Sequence, residues 1–462
     1  LKLGLEYFNR DEGASPDYSQ KFYTINSALQ NWQVRQGYFS ANYDKKVTER
    51  FRLTSFSYYR ISDRGKNAVL TPYTSYANGG LSLYSLEKNV QPYFTPTYYS
   101  TQSTQFRTEL RGLYNLTEQI DVSGGLELRN GLLQGDYVKS SLEDPLANGV
   151  GPDSANGGNY YGVVDIGARA QISYKNTTHK INLDLGGRVD NNRINNVFGY
   201  GTVFNPRIAA VWYPSDFIFK AIYSEAFLDA SPFNKFSTTS SRLLNNPTLV
   251  PEKVKNYEFS ARLTNHKKSY VELAYYHSMY SNSVSTATVI YKGKTTTQFQ
   301  ALGKADIQGL QLAAETQYSR FNFYFNATYT DPYSLMSTTK GEDSAVRMGD
   351  IAVVSANAGV NAKFFKDHIN ANLRVNVVGD KATGKNTTTA GNPNTSIPGY
   401  TLLNGTLGYK FKKIGVLQVR VDNILDVEYF SPGIRSASGI QSSMVPLPGR
   451  IYYAQFNFNL TR

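Results

Sequence analysis

Apolar and polar residues alternate with a period of two along most of this chain. Ile369, Ala371, Leu373, Val375 and Val377 oppose Asn370, Asn372, Arg374 and Asn376. Ile181, Leu183 and Leu185 oppose Asn182, Asp184 and Arg188, and Leu417, Val419 and Val421 oppose Gln418, Arg420 and Asp422. A two-residue period sets each group on its own face of a β-strand. Such segments recur at roughly 1–8, 32–43, 49–61, 104–114, 119–130, 161–174, 179–190, 202–213 and 215–226. They continue at roughly 254–264, 268–280, 305–318, 321–330, 350–364, 367–378, 399–411, 414–425 and 450–461, about 18 strands together.

The connections between them alternate in length. Asp44 to Thr48, Asn115 to Glu118, Lys175 to Thr178, Pro214-Ser215, Asn265 to Lys267, Ser319-Arg320, Lys366-Asp367 and Lys412-Lys413 are short. The others are long, at roughly 9–31, 62–103, 131–160, 191–200, 227–253, 281–304, 331–349, 379–398 and 427–449. Tight turns on one side and long loops on the other predict an all-β protein, a transmembrane antiparallel β-barrel with periplasmic turns and extracellular loops. Leu373, Val375, Leu417, Val419, Phe456 and Phe458 are then expected to face lipid, and Asn372, Arg374, Arg420, Gln455 and Asn457 the lumen. Seven rings precede the short turns on the apolar parity: Tyr43, Tyr114, Tyr174, Trp212, Tyr318, Phe364 and Tyr409. They are expected to form a belt at head-group depth, where an apolar body and a polar tip are both satisfied.

Composition narrows the picture further. Only 40% of the 462 residues are hydrophobic, mean hydropathy is −0.41, and no run of about 18 apolar residues offers a transmembrane helix. Those values suit strands whose every second residue faces a polar lumen. The net charge of +12 comes without a compact Lys/Arg-rich run. It therefore points to anionic lipid head groups or an anionic ligand rather than nucleic acid. Cysteine is absent, which excludes disulfides, thiolate metal sites and cysteine nucleophiles. His179, His266 and His368 fall at or beside short turns, His277 shares the lipid parity of Val271 and Leu273, and no two have metal-ligand spacing. No metal or cofactor is expected.

Three C-terminal segments and one central stretch carry a family resemblance. They are Ile397-Pro-Gly-Tyr-Thr-Leu-Leu-Asn404, Val421-Asp-Asn-Ile-Leu-Asp-Val-Glu-Tyr429 and Pro448-Gly-Arg-Ile-Tyr-Tyr453. The central stretch is Tyr223-Ser-Glu-Ala-Phe-Leu-Asp-Ala-Ser231, followed by Asn245-Asn-Pro-Thr-Leu249 and Pro251-Glu-Lys253. In order and spacing these resemble TonB-dependent outer-membrane receptors. The resemblance implies a barrel of about 22 strands filled by an N-terminal plug. With about 18 strands and no plug-like segment, residues 1–462 are expected to be the barrel domain, without the plug and about four first strands. Leu1-Lys-Leu-Gly-Leu-Glu-Tyr-Phe8, already a strand, agrees with a piece of a longer chain.

The resemblance also implies a function. Such a receptor, in the outer membrane of a Gram-negative cell, binds a scarce nutrient at its extracellular loops. It imports that nutrient with energy passed from an inner-membrane complex through TonB to the plug. A ferric siderophore is the commonest cargo, with cobalamin, oligosaccharide and peptide open. Implied partners are outer-membrane lipid and lipopolysaccharide, the TonB complex, the small-molecule ligand, and other outer-membrane or surface lipoprotein subunits. The alternatives are a passive, substrate-specific 18-stranded porin and a barrel serving as a structural or assembly partner. Haem ligation by imidazole is not available in the central stretch. Leu228, Asp229 and Thr248 depart from the family pattern, and no histidine lies between His179 and His266.

No enzyme signature stands out. Asn78-Gly-Gly80 and Ser123-Gly-Gly125 lack the strand-to-helix context of a phosphate loop. Inward Glu109, Asp165, Asp184 and Glu315 share their faces with Arg107, Arg111, Arg169 and Arg188, predicting an Arg–carboxylate ladder that lines the lumen or grips a plug. Ligand contacts are expected from the tyrosine-rich loop, at Tyr73, Tyr76, Tyr93, Phe94, Tyr98 and Tyr99, where large rings lose little side-chain entropy on binding. Phe227, Asp229 and Phe233 in the central loop and Arg435 before the last strand complete the expected set.

Overall fold

The computed structural model describes residues 1–13, 31–64, 69–71, 97–99, 101–134, 138–139, 160–194, 197–231, 234–235, 243–244, 246, 248–265, 269–291, 293–337, 343–349, 351–382, 396–411, 414–432 and 444–458. One 20-stranded sheet dominates. Apart from the short segments Leu243–Leu244 and Asp343–Arg347, it is one up-and-down antiparallel succession. Its strands are β1 (Lys2–Gly13), β2 (Asn31–Lys46), β3 (Phe51–Arg64), β4 (Thr101–Asn115), β5 (Ile120–Gln134) and β6 (Tyr160–Asn176). Then come β7 (Ile181–Ile194), β8 (Val197–Trp212), β9 (Phe217–Leu228), β10 (Glu252–Asn265), β11 (Ser269–Tyr291) and β12 (Lys294–Tyr318). The last are β13 (Phe321–Ser337), β14 (Val354–Phe364), β15 (Ile369–Val378), β16 (Tyr400–Phe411), β17 (Gly415–Asp422) and β18 (Ile451–Phe458). Each pairs with the next in sequence. Among the described residues no ladder joins β1 to β18, so the two do not close an 18-stranded ring.

The short turns are built by side chains that mimic backbone acceptors. Thr48 Oγ1 accepts the Phe51 N–H at 3.0 Å, and Thr117 Oγ1 accepts that of Ile120 at 3.0 Å. Asn176 Oδ1 accepts the His179 N–H at 2.8 Å in the turn between β6 and β7.

Register keeps the two sets on opposite faces of the sheet. Val360, Leu373 and Gly405 stand opposite one another, as do Leu407 and Val419, and Leu417 and Phe456. On the other face Asn361 opposes Asn372, Arg374 opposes Asn404, and Thr406 opposes Arg420. Leu373, Leu417, Val419 and Phe458 are exposed, as lipid-facing residues must be when seen without lipid. Of the seven turn-side rings, Tyr43, Tyr114, Trp212, Tyr318 and Tyr409 are exposed. All but Tyr43 oppose an apolar residue, for example Tyr174 with Leu183 and Phe364 with Ile369. Two of these rings also contact a neighbouring strand, Trp212 meeting Phe219 at 5.5 Å and Phe364 meeting Phe321 at 6.2 Å.

The polar face is the concave one, because its side chains meet across an intervening strand although strands two apart lie about 10 Å from each other. Arg188 on β7 reaches Glu127 on β5 at 3.0 Å, and Tyr276 on β11 reaches Thr330 on β13 at 2.9 Å. Asn372 on β15 donates to the Tyr324 hydroxyl on β13 at 3.2 Å. Each bridge passes over a glycine of the strand between, Gly167, Gly309 or Gly359.

Three connections differ from expectation. The stretch 191–200 is no long loop, since β7 runs to Ile194 and Ile194 pairs with Val197. The stretch 281–304 is largely a continuation of β11 and β12, paired as far as Tyr291 with Lys294. Its Ser/Thr-rich composition reads as loop, but Thr and Val favour a pleated conformation. Likewise β13 continues to Ser337 and pairs there with Asp343–Arg347.

The three C-terminal motifs converge. Asn423 holds a left-handed φ of 54°, which Asn tolerates better than most residues, and its amide brackets Val427 with bonds of 2.8 and 2.9 Å. Asp426 Oδ1 accepts the Arg450 N–H at 2.7 Å, and a Cβ on Gly449 would sit 2.7 Å from that same oxygen. The Tyr400 and Tyr429 rings meet at 4.7 Å. An asparagine chain continues along the lumen. Asn423 N–H donates to Asn404, Asn404 to Asn376, Asn376 to Asn357, and Asn357 to Asn326.

Candidate ligand path in the lumen

The charge ladder has a layered geometry. On adjoining strands β4 to β7, Arg107, Arg129, Asp165 and Asn192 form one row across the sheet. The next row holds Glu109, Glu127, Gly167 and Asp190, and the row beyond it Arg111, Gly125, Arg169 and Arg188. An acidic row thus lies between two basic ones. Arg111 donates to both Glu109 oxygens at 2.7 Å, and Arg169 Nη2 lies 2.8 Å from Glu109 Oε1. Arg188 donates to Asp190 at 2.7 and 2.6 Å, and Arg107 Nε lies 2.9 Å from Glu127 Oε1. Arg129 Nε approaches the same Glu127 oxygen at 3.2 Å.

Depth sorts the two signs. The Glu109, Glu127 and Asp190 side chains are 4%, 5% and 1% exposed, against 52%, 37% and 31% for Arg111, Arg169 and Arg188. Carboxylates lie against the wall and guanidiniums reach into the lumen. Glu109 and Glu127 are each shared among several guanidiniums, and Asp190 is held by both nitrogens of the Arg188 fork, which is what makes burying these carboxylates tolerable. The guanidiniums open onto a cavity of about 800 Å³, lined by Arg52, Arg111, Arg169, Arg188 and Arg207 with Glu225 the one acidic lining residue. A wall of this kind recognises anions through charge-assisted, often bidentate hydrogen bonds.

Two expected ladder members are placed elsewhere. Asp184 accepts from Ser173 and Gln171, and Glu315 accepts from Asn322 at 2.9 Å. Each lies beside amides and hydroxyls, whereas Glu127, Arg129 and Asp190 complete the ladder. Parity could have found those three, since Leu126 and Leu128 alternate with Glu127 and Arg129.

At the long-loop end, Phe227 and Asp229 are brought together with two residues not expected from the sequence, Tyr200 and Lys235. The Tyr200 and Phe227 rings meet edge-on at 5.4 Å. Lys235 Nζ lies 2.6 Å from Asp229 Oδ1 and 5.7 Å from the centre of the Tyr200 ring. Tyr200 shares parity with lipid-facing Phe204. Gly201, at φ 73°, and a register shift between Asn192 and Ile194 break the alternation there. Burial pushes the Asp229 carboxyl above the ordinary carboxylate range, against the pull of Lys235.

Tyr73, Tyr76, Tyr93, Phe94, Phe233 and Arg435 lie outside the described residues. Tyr98 and Tyr99 belong to a short strand, Thr97–Tyr99, paired with Val69–Thr71 and Val138–Lys139. His277 keeps its outward parity but has a partner, Asp306 Oδ1, 2.7 Å from Nε2. Among the described residues no group of three or more His, Asp or Glu is disposed to hold a metal ion. No described helix is long and apolar enough to cross a membrane.

Up-and-down strands with an apolar outer face and a polar, arginine-rich inner one are the architecture of a membrane β-barrel. The family model "TonB dependent receptor-like, beta-barrel" matches residues 1–424, and the chain belongs to that family. No curated protein sequence matches the chain. Among solved structures it is similar to the siderophore receptor PirA from Acinetobacter baumannii. That match has a TM-score of 0.59 at 13% identity and covers 98% of this chain and 74% of that one. The FrpB iron transporter from Neisseria meningitidis gives 0.67 at 12%, covering 98% and 68%. The ferric yersiniabactin uptake receptor FyuA from Yersinia pestis gives 0.61 at 15%, covering 93% and 62%. At these identities the likeness is one of fold.

Proposed function

We propose that this chain forms the barrel of an outer-membrane importer for a ferric siderophore-type ligand, driven by energy transduced through TonB. The observation that carries the reading is the layered ladder, which turns guanidiniums into an 800 Å³ cavity while keeping their carboxylates against the wall. An iron chelate bearing carboxylate, catecholate or hydroxamate oxygens presents the acceptors such a wall would bind. Family membership and the siderophore receptors among the similar folds support the same direction. First capture is assigned to the loops, at Tyr73, Tyr76, Tyr93, Phe94, Tyr98, Tyr99, Phe227, Asp229, Phe233 and Arg435.

The test is radio-iron uptake by cells carrying the full receptor, offered a panel of ferric siderophores, with and without the inner-membrane TonB complex. Uptake of at least one chelate that stops without the complex, and falls about tenfold in Arg169→Ala, is expected. Uptake that persists without the complex would make the protein a passive porin. No uptake of any chelate would overturn the cargo class.

A further inference from the structure

The outer wall carries an apolar trough between β13 and β17 that ends beside an unpaired cation. In one row across the sheet Phe321, Ala362, Ala371 and Leu407 stand opposite one another in turn. Two alanines between two large side chains leave a hollow on the lipid-facing side. One row further from the short turns, Val360 and Leu373 fill the same two strands. The hollow there moves one strand over to Gly405, between Leu373 and Val421. The result is a groove of about 430 Å³ whose lining includes Phe321, Phe364, Ala362, Ala371, Gly405 and Leu407. It follows β14 from Phe364 to Val360, or about 13 Å of strand. At its turn end the Arg320 guanidinium lies over the Phe364 ring, 5.5 Å from its centre. The Lys363 N–H donates to the Arg320 carbonyl at 3.1 Å, which ties that turn to β14. Among the described residues no carboxylate pairs with Arg320. Phe365, in the adjoining turn, is 75% exposed. The next two short connections and their flanks hold Lys363, Lys366, Lys410, Lys412 and Lys413 against one acid, Asp367.

We propose that this groove is a phospholipid site. One acyl chain lies along Ala362, Ala371 and Gly405, and Arg320 holds the phosphate of an anionic glycerophospholipid in the leaflet at the short-turn end. Each part of such a lipid finds its match. A chain in the trough regains the contacts that an unfilled hollow forfeits. A guanidinium offers a phosphate two parallel N–H donors, and its stem can cover an apolar ring while its head stays at the polar boundary. The surrounding lysines attract anionic lipid to this side of the wall without fixing one molecule. A second copy of the chain suits the groove less, because a two-fold contact would bring the same cationic turns together. The groove beneath Trp212, of about 470 Å³, ends differently. Its turn holds Asp216, and the nearby Lys180 Nζ is turned to the Pro214 carbonyl at 2.9 Å. The site depends on the barrel's place in the membrane and not on its cargo.

The test is native mass spectrometry of the full receptor in detergent, titrated with dioleoyl phosphatidylglycerol or dioleoyl phosphatidylcholine, which share their chains and differ in net charge. Wild type should retain a phosphatidylglycerol at about a tenth of the concentration that phosphatidylcholine needs. Arg320→Gln should abolish that preference, and Arg320→Lys should keep most of it. Ala371→Phe fills the trough and should weaken retention of both lipids about tenfold. Lys45→Gln, which removes a cation of the same rim on β2, is the control and should change nothing. Heat-modifiable gel migration confirms a folded barrel in each variant. Equal retention of the two lipids by wild type would remove the phosphate site. A preference that survives Arg320→Gln, or falls as far in Lys45→Gln, would belong to the whole basic rim and overturn the assignment to Arg320. Unchanged retention in Ala371→Phe would show that the chain lies elsewhere. A dimer that only Ala371→Phe disperses would give the groove to a second copy of the chain. None of these readouts involves iron, so failed uptake alone would leave the lipid site standing.

Discussion

Arg188 Nη2 donates to Glu127 Oε2 at 3.0 Å across the whole width of β6, directly over Gly167. A Cβ there would lie 2.7 Å from both Arg188 Nη2 and Asp190 Oδ1. The gap in that strand is therefore part of the ion-pair layer. Gly167→Val should push the Arg188 guanidinium off its carboxylates, and Glu127→Gln should take from Arg107 and Arg129 the carboxylate they share with Arg188. Each is expected to cost about 3–5 kcal/mol of folded-state stability. Gly37, where an added methyl group would meet nothing within 4 Å, is the control, and Gly37→Ala should stay within about 0.5 kcal/mol. Urea midpoints of the detergent-solubilised barrel decide between them.

Leu373 and Arg374 are neighbours in β15 that belong to opposite solvents. Leu373→Arg places a charge on the lipid face and should cost about 2–4 kcal/mol if it lies at mid-depth. Arg374→Leu loses one hydrogen bond to Asn376, at 3.1 Å, and should cost about 1 kcal/mol. Equal costs in lipid vesicles would contradict the facing.

Asn423 combines a left-handed backbone with a fully used amide. Asn423→Ala loses the hydrogen bonds and strains the backbone, whereas Asn423→Gly loses only the bonds. The alanine variant should be less stable than the glycine variant by about 1 kcal/mol. Gly449→Ala should act on the same joint by displacing Asp426 from the Arg450 N–H, lowering the urea midpoint again.

The alternation of side chains by itself determined the strands, their order, the faces of residues such as Leu373 and Arg374, and the turn-side rings. All of these follow from a local period of two, which each strand carries in its own sequence. Parity could likewise place Glu109 and Arg111 on the inner face. It could not tell that Asp184 and Glu315, of inward parity too, stay out of the ladder. That choice depends on register and curvature, which decide which side chains two strands apart converge on the concave side. Tyr200 escaped because the register shift between Asn192 and Ile194 interrupts the period beside it. Lys235 escaped because its partners come from the fold of a loop. The Asn246 side chain meets Phe299, 53 residues along the chain. Only the tertiary structure could bring such residues together, since no local period links positions whose contact is set by where a loop crosses the wall.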